Sequence, residues 1–347
     1  MHVLYVALDP MKIPRIKKIA STLEARRDVV FDVMIPKFRF TYQGGAIGRM
    51  IVAAVNYFSV FVQVLLARAD LYWVANCPDI LAIPLILRRR PYILEYRSPW
   101  AKEVEDEFGP GPWAGLAGII ERLALTHARV VTLTSSRLMP RVQEFRRSVF
   151  VIPNYPLRSF GTIRVSRSEF KGENGLSSTD RVVLYVGKLT RVEGADMLPR
   201  IIEDVLARAD ANFWIVGSGP LYGSLKAFAA EHANKIRLFG WQPHDRIPLL
   251  IASADVCIAP RHETAFSTLY NEEGVTKISE YMFFEKPIVA CGVARSDEYL
   301  LVEEERMADG IVEALNGSVH TPKRMTWQDH SEKEINRMFN LIQTNVI

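Results

Sequence analysis

The stretch RVVLYVGKLTRVEG, residues 181–194, decides the architecture. Val182 to Val186 suit a strand buried on both faces, and the chain then runs into Gly187, Lys188 and, at Gly194, what reads as the opening of a helix. The same unit recurs downstream as ANFWIVG (211–217), KIRLFG (235–240), ADVCIAP (254–260) and KPIVACG (286–292). Upstream it appears as HVLYVAL (2–8), VVFDVMI (29–35), DLYWVAN (70–76), PYILEY (91–96), RVVTLTS (129–135) and VFVIPN (149–154). Helical patterns of roughly 10 to 20 residues separate these runs, so the chain is predicted to be α/β with parallel sheets. The polar segment SRSEFKGENGLSSTD (166–180) reads as a linker between two similar units. The expected division is an N-terminal domain at 1–160, a C-terminal domain at 161–330, and a terminal helix at 331–347 that packs back on the first domain. Its 347 residues suit two cores better than one.

A composition of 49% hydrophobic and 24% charged residues excludes disordered, collagen-like and disulfide-scaffold classes. Cys77, Cys257 and Cys291 are far apart and form no metal-binding spacing, which points to a reducing compartment. The start of the chain does not read as a secretory leader, so a cytoplasmic location is expected. The apolar run Met50 to Ala67 contains Asn56, Ser59 and Gln63, which argues against a membrane-spanning helix. It suits a buried helix or, with Trp100, Phe108 and Trp113, shallow docking on the inner face of a membrane. Residues 1–157 hold 21 Lys and Arg against 13 Asp and Glu, whereas the remainder is acidic. That polarity suits an anionic membrane surface or a phosphorylated acceptor, with ordinary solvated charge as the alternative; no nucleic-acid partner is expected.

The segment PRHETAFSTLYNEEGVTKISEYMFFEKP, residues 260–287, carries the chemistry. Were it helical, Glu272 and Glu280 would stand about 12 Å apart, the reach of a diphosphate with a sugar at each end. Gly274 marks the expected helix start and Lys277 lies in its first turn, so the amides of Gly274, Val275 and Thr276 would form a phosphate cradle. Gly187, Lys188 and Arg191 place cations beside a second helix start. Gly217 and Gly219 permit close approach of a ligand or of backbone, or simply form a tight turn.

In this order, VGKL, IVGSGP, LFGW, ADVCIAP and Glu-x7-Glu followed by KPIVA resemble the donor-binding domain of family 4 glycosyltransferases, most clearly over residues 181–290. The resemblance implies the GT-B fold, two Rossmann-like doubly wound domains facing across a cleft, and transfer of a sugar with retention of configuration. It implies a UDP- or GDP-sugar donor, no separate cofactor, and a glycan, glycolipid or polyprenyl-linked acceptor. By position, Lys188 grips the diphosphate, Glu272 stands near the donor sugar, Glu280 holds the ribose, and Gly274, Val275 and Thr276 cover the distal phosphate. Trp241 and Gln242 flank the nucleobase. Apart from the resemblance, His262 and Glu263 follow the strand ADVCIAP (254–260) and so point at the cleft as secondary candidates for donor-sugar contacts, a core or surface role for His262 being the alternative. No metal is expected, since there is no DxD motif and EVEDEFG (103–109) lacks a buried-strand context.

Three departures stand out. Glu193 occupies the position of the family's second cation; Arg191 substitutes for it, or Glu193 simply favours the following helix N-terminus. Glu285 replaces a glycine before the Lys-Pro pair. The first domain lacks the glycine-rich loop and histidine of many relatives, having LDPMKIPRIKK (8–18) and LEYRSPW (94–100), where Lys12, Arg15, Lys17 and Lys18 offer a cationic face. Two rival readings remain: a non-hydrolysing nucleotide-sugar epimerase of the same fold, and a catalytically silent binding subunit. A dinucleotide oxidoreductase is disfavoured, because GSGP (217–220) follows an internal strand and the acidic ribose residue is missing.

Overall fold

The computed structural model describes residues 1–10, 14–37, 40, 46–146, 148–163 and 165–347, apart from the side chains of residues 14, 46, 47, 49, 50 and 53. The chain divides into two units, Met1–Pro153 with His330–Ile347, and Asn154–Asp329.

In the first unit, six strands form one parallel sheet: β1 (His2–Val6), β2 (Val30–Val33), β3 (Leu71–Ala75), β4 (Tyr92–Tyr96), β5 (Val130–Leu133) and β6 (Val149–Val151), in the order β2-β1-β3-β4-β5-β6. Each arises from one of the six apolar runs. β3, β4 and β5 are buried along their whole length, as parallel strands covered on both faces must be. β2 lies at the edge and leaves Val30 exposed. The terminal helix Ser331–Gln343 lies in this unit, packed on the helix Pro14–Glu24 and on β6. Its Phe339 is fully buried near Trp73, and the Arg26 guanidinium donates to Asn336 and Asn340.

Two expectations for this unit change. Arg15 does not belong to a cationic surface: it is 3% exposed, with Nε 3.0 Å from the buried Glu95, whose other oxygen accepts the Tyr5 hydroxyl at 2.9 Å. A guanidinium this far from water needs such a partner. Lys17 is exposed, and Lys12 lies outside the described residues. Residues 154–160 group with the second unit, where the Asn154 N–H donates to the Glu273 carbonyl and Phe160 packs among Phe283, Phe284 and His244. No helix among the described residues is long and apolar enough to cross a membrane.

The second unit repeats the architecture with β7 (Val182–Val186), β8 (Asn212–Val216), β9 (Ile236–Gly240), β10 (Val256–Ala259), β11 (Ile288–Ala290) and the two-residue β12 (Leu300–Leu301). The order is β12-β11-β10-β7-β8-β9, all parallel. Alternate residues feed two cores. Val183, Ile215, Ile258 and Val289 enter one face, and Leu184, Trp214, Cys257 and Ala290 the other. β7 and β10 are neighbours, yet the chain leaves β7 toward β8 on one side and β10 toward β11 on the other. Loops after such a pair diverge and leave a crevice at the carboxyl edge, where ligands bind in open parallel sheets.

The helix Thr276–Phe283 buries Ile278, Tyr281, Met282 and Phe283 against the sheet, each contributing about 1.5–3 kcal/mol. It ends in a tight reversal in which Glu285 has φ +52°, a left-handed conformation that suits glycine. Glu285 is exposed. Glu285→Gly is therefore expected to raise stability by about 1 kcal/mol in urea unfolding. An unchanged or lower midpoint would mean that the turn carries no strain.

Candidate active site

The expected cation Lys188 lies two residues past β7, is exposed, and has no side-chain partner among the described residues. Its loop is shaped by backbone approach. A Cβ on Gly217 (φ +145°) would lie 1.8 Å from the Gly187 carbonyl oxygen, and one on Gly219 would lie 2.4 Å from that of Leu189. Both glycines thus serve main-chain packing between the loops after β7 and β8. Arg191 is 84% exposed, 3.8 Å from Asp196. Residues 191–197 form turns and the helix starts only at Leu198, so Gly194 does not open it. Instead Gly194 has φ +69° and lies so close to the Pro260 carbonyl that a Cβ would sit 2.4 Å from its oxygen.

The second helix start also shifts. Its first residue is Thr276, so the chain from Glu272 to Val275 is not helical and the spacing of about 12 Å drawn from a continuous helix does not apply. The N–H groups of Gly274 and Val275 are already spent, both on the Asn271 carbonyl, at 3.1 and 2.9 Å. The amides that remain free among the described residues are those of Thr276 and Lys277, at an end that no side chain caps. A phosphate there would meet unsatisfied donors and the positive end of the helix dipole. The Thr276 hydroxyl accepts from Asn154 at 3.0 Å.

Glu272 is half-buried, and its Oε2 has no hydrogen-bond partner among the described residues. Burial, with smaller contributions from Glu273 and Glu298, raises its pKa, against hydrogen bonding from Ser296. Glu272 Oε1 accepts from the Asn271 side-chain amide at 3.3 Å, so it is the desolvated Oε2 that is left for a hydroxyl-rich ligand. Glu280 is 8% exposed and one oxygen lies 2.9 Å from the His244 Nε2. Trp241, just past β9, is 69% exposed and available to stack on a ring. The Gln242 amide is engaged by the Phe239 carbonyl and by Arg246.

Two named residues turn inward. Lys277 is buried, with Nζ 2.8 Å from Glu193 and 4.6 Å from the centre of the Tyr185 ring. His262 is held through both ring nitrogens, Nε2 to Asp196 at 2.9 Å and Nδ1 to Glu304 at 3.0 Å, so neither is free for a sugar. Partial burial opposes the imidazolium, but the two carboxylates outweigh it and raise the His262 pKa. Glu263 is exposed and its backbone N–H donates to Glu304. Arg261, two residues past β10, is a candidate that sequence reasoning misses, naming His262 and Glu263 instead. Its place just after a strand at the switch point was the signal that it faces the same crevice.

This pair of doubly wound sheets is the GT-B arrangement found in glycosyltransferase structures. Residues 180–317 match the family model described as "Glycosyl transferases group 1". A curated relative, the phosphatidylinositol N-acetylglucosaminyltransferase GPI3 subunit of Saccharomyces cerevisiae, is 25% identical over 182 residues, covering 50% of this chain and 38% of the relative. An uncharacterized glycosyltransferase, MJ1607 of Methanocaldococcus jannaschii, is 27% identical over 126 residues, 36% of this chain and 30% of its own. The chain thus aligns with less than two-fifths of each relative's length. Among solved structures, Anabaena HepE in complex with UDP-glucose is similar, with a TM-score of 0.67 at 16% identity over 98% of this chain and all of that one.

Proposed function

We propose that this protein is a glycosyltransferase that moves a sugar from a UDP- or GDP-sugar to an acceptor hydroxyl with retention of anomeric configuration. The reading is carried by one juxtaposition. At the carboxyl edge of the second sheet, the free ammonium of Lys188 and the free backbone amides of Thr276 and Lys277 lie in the same unit as Glu272, whose Oε2 has no hydrogen-bond partner among the described residues. The donors suit a leaving diphosphate, on which negative charge grows as the bond to the anomeric carbon breaks. The new bond forms from the acceptor oxygen, and the acceptor proton passes to a phosphate oxygen on the same face. No side-chain base is then required. Glu272 accepts donor-sugar hydroxyls, Glu280 those of ribose, and Trp241 stacks on the base.

The acceptor proposed is lipid-linked, and the protein works on the cytoplasmic face of a membrane. The first unit supports this through apolar side chains left in solvent: Ile51, Val55 and Phe58 on the helix Ala46–Leu66, and Trp113, Leu116, Ile119 and Leu123 on the helix Pro112–His127. Helical spacing gives each set one face, and large exposed apolar faces of this kind suit shallow insertion. Trp113→Ala with Ile119→Ser is expected to reduce co-sedimentation with anionic vesicles severalfold while leaving nucleotide binding intact. Equal sedimentation of both proteins would remove the membrane from the proposal.

Incubating the protein with UDP-glucose, the ligand of the HepE structure, other UDP-sugars and GDP-sugars, with and without a polyprenyl-phosphate-linked saccharide, tests the reaction itself. Acceptor-dependent nucleotide release is expected. Donor conversion without acceptor would indicate the epimerase, and nucleotide binding without turnover the silent subunit.

A further inference from the structure

The acidic residue at 193 would be expected to repel a diphosphate, yet the structure shows it doubly compensated. Its Oε1 lies 2.8 Å from the Arg261 Nη1 and its Oε2 lies 2.8 Å from the Lys277 Nζ. Two cations against one carboxylate leave a net charge of +1, the same as a single lysine at 193 would supply. Burial opposes ionisation of Glu193, but Lys277 and Arg261 hold its pKa below the ordinary value. The neighbouring carboxylates Asp196 and Glu304 are themselves occupied by His262.

The two cations are not equivalent. Lys277 is 9% exposed, and its Nζ sits so near Gly187 that a Cβ there would be 2.6 Å away. It is the internal counter-charge. Arg261 keeps about a fifth of its side chain in solvent and spends only Nη1 on Glu193, with no partner recorded for Nε or Nη2 among the described residues. Its backbone is clamped. The Cys291 thiol donates to the Arg261 carbonyl at 3.4 Å, and a Cβ on Gly292 would lie 2.1 Å from that oxygen. A guanidinium fixed at one end with its remaining donors free presents a planar fork suited to phosphate oxygens.

We propose that Arg261 is the second cation of the diphosphate site and that Glu193 is its positioning residue, the positive charge having moved from the loop after β7 to the loop after β10. This rests on the donor reading above and names a group that it lacked. Arg261 bonds the phosphate farther from the nucleoside, so its contribution separates nucleoside diphosphates from monophosphates. A residue needed only for folding would weaken both alike.

Calorimetric titration of wild type, Arg261→Ala, Arg261→Lys and Glu193→Gln with UDP, UMP, GDP and GMP tests this. Wild type is expected to favour one diphosphate over its monophosphate. Arg261→Ala should lose about tenfold in diphosphate affinity and almost nothing in monophosphate affinity, Glu193→Gln should show a smaller loss in the same direction, and Arg261→Lys should keep most of the preference. If Arg261→Ala does not fold, as judged by circular dichroism, the other two variants decide. A preference unchanged in Arg261→Ala, or in Glu193→Gln where the alanine variant is unfolded, overturns the role of Arg261 and leaves the donor reading standing. Wild type that binds none of the four nucleotides overturns both.

Discussion

Lys188→Ala is expected to lower kcat for sugar transfer about a hundredfold or more, because it removes a cation from the group that departs with negative charge. The side chain is exposed and holds no structural partner among the described residues, so its loss leaves the fold intact. The thermal midpoint should therefore stay within about a degree of wild type, as for other surface changes. Measuring donor KM and kcat separately sharpens the test. A cation that acts mainly as the bond breaks reduces kcat more than it raises KM. Unaltered turnover in a folded Lys188→Ala protein takes this residue out of the mechanism.

Glu272→Gln is expected to reduce transfer by roughly two to three orders of magnitude with nucleotide affinity nearly unchanged, a loss like that of a preorganised polar contact to the reacting sugar. It should also alter stability in a particular way. Because the folded pKa of Glu272 is raised, the native state holds its proton more tightly than the unfolded chain. Stability then falls as pH rises from the unfolded carboxyl value through the folded one. Glutamine abolishes that loss, so the variant should gain stability relative to wild type at neutral pH and gain nothing at pH 4. Glu280→Ala, in contrast, should weaken nucleotide binding first. If the two substitutions showed each other's phenotype, the assignment of the pair would be reversed.

Much of the fold was legible because parallel strands buried on both faces must be continuous apolar runs. All eleven such runs became strands, and only the two-residue β12 was missed, being too short to carry a pattern. For the candidate site, placement along the chain was legible: Lys188 falls two residues past β7, and Glu272 and Glu280 fall around a helix start. The site was misread where hydrogen bonds decide. Gly274 and Val275 looked like free donors, but a turn onto the Asn271 carbonyl consumes both amides. His262 looked available until two carboxylates from distant parts of the chain closed on it.

Glu193 shows the division most clearly. The order of residues alone determined that the chain forms two doubly wound units, and that cations and carboxylates fall at the carboxyl ends of strands in the second. Whether a given charge there is spent or free was decided by tertiary structure, which brings residue 193 against residues 261 and 277. The physical reason is range. Strand and helix formation follow from periodicity over a few neighbours, whereas ionic pairing depends on separations of a few ångströms between side chains far apart in sequence, which only the folded chain fixes.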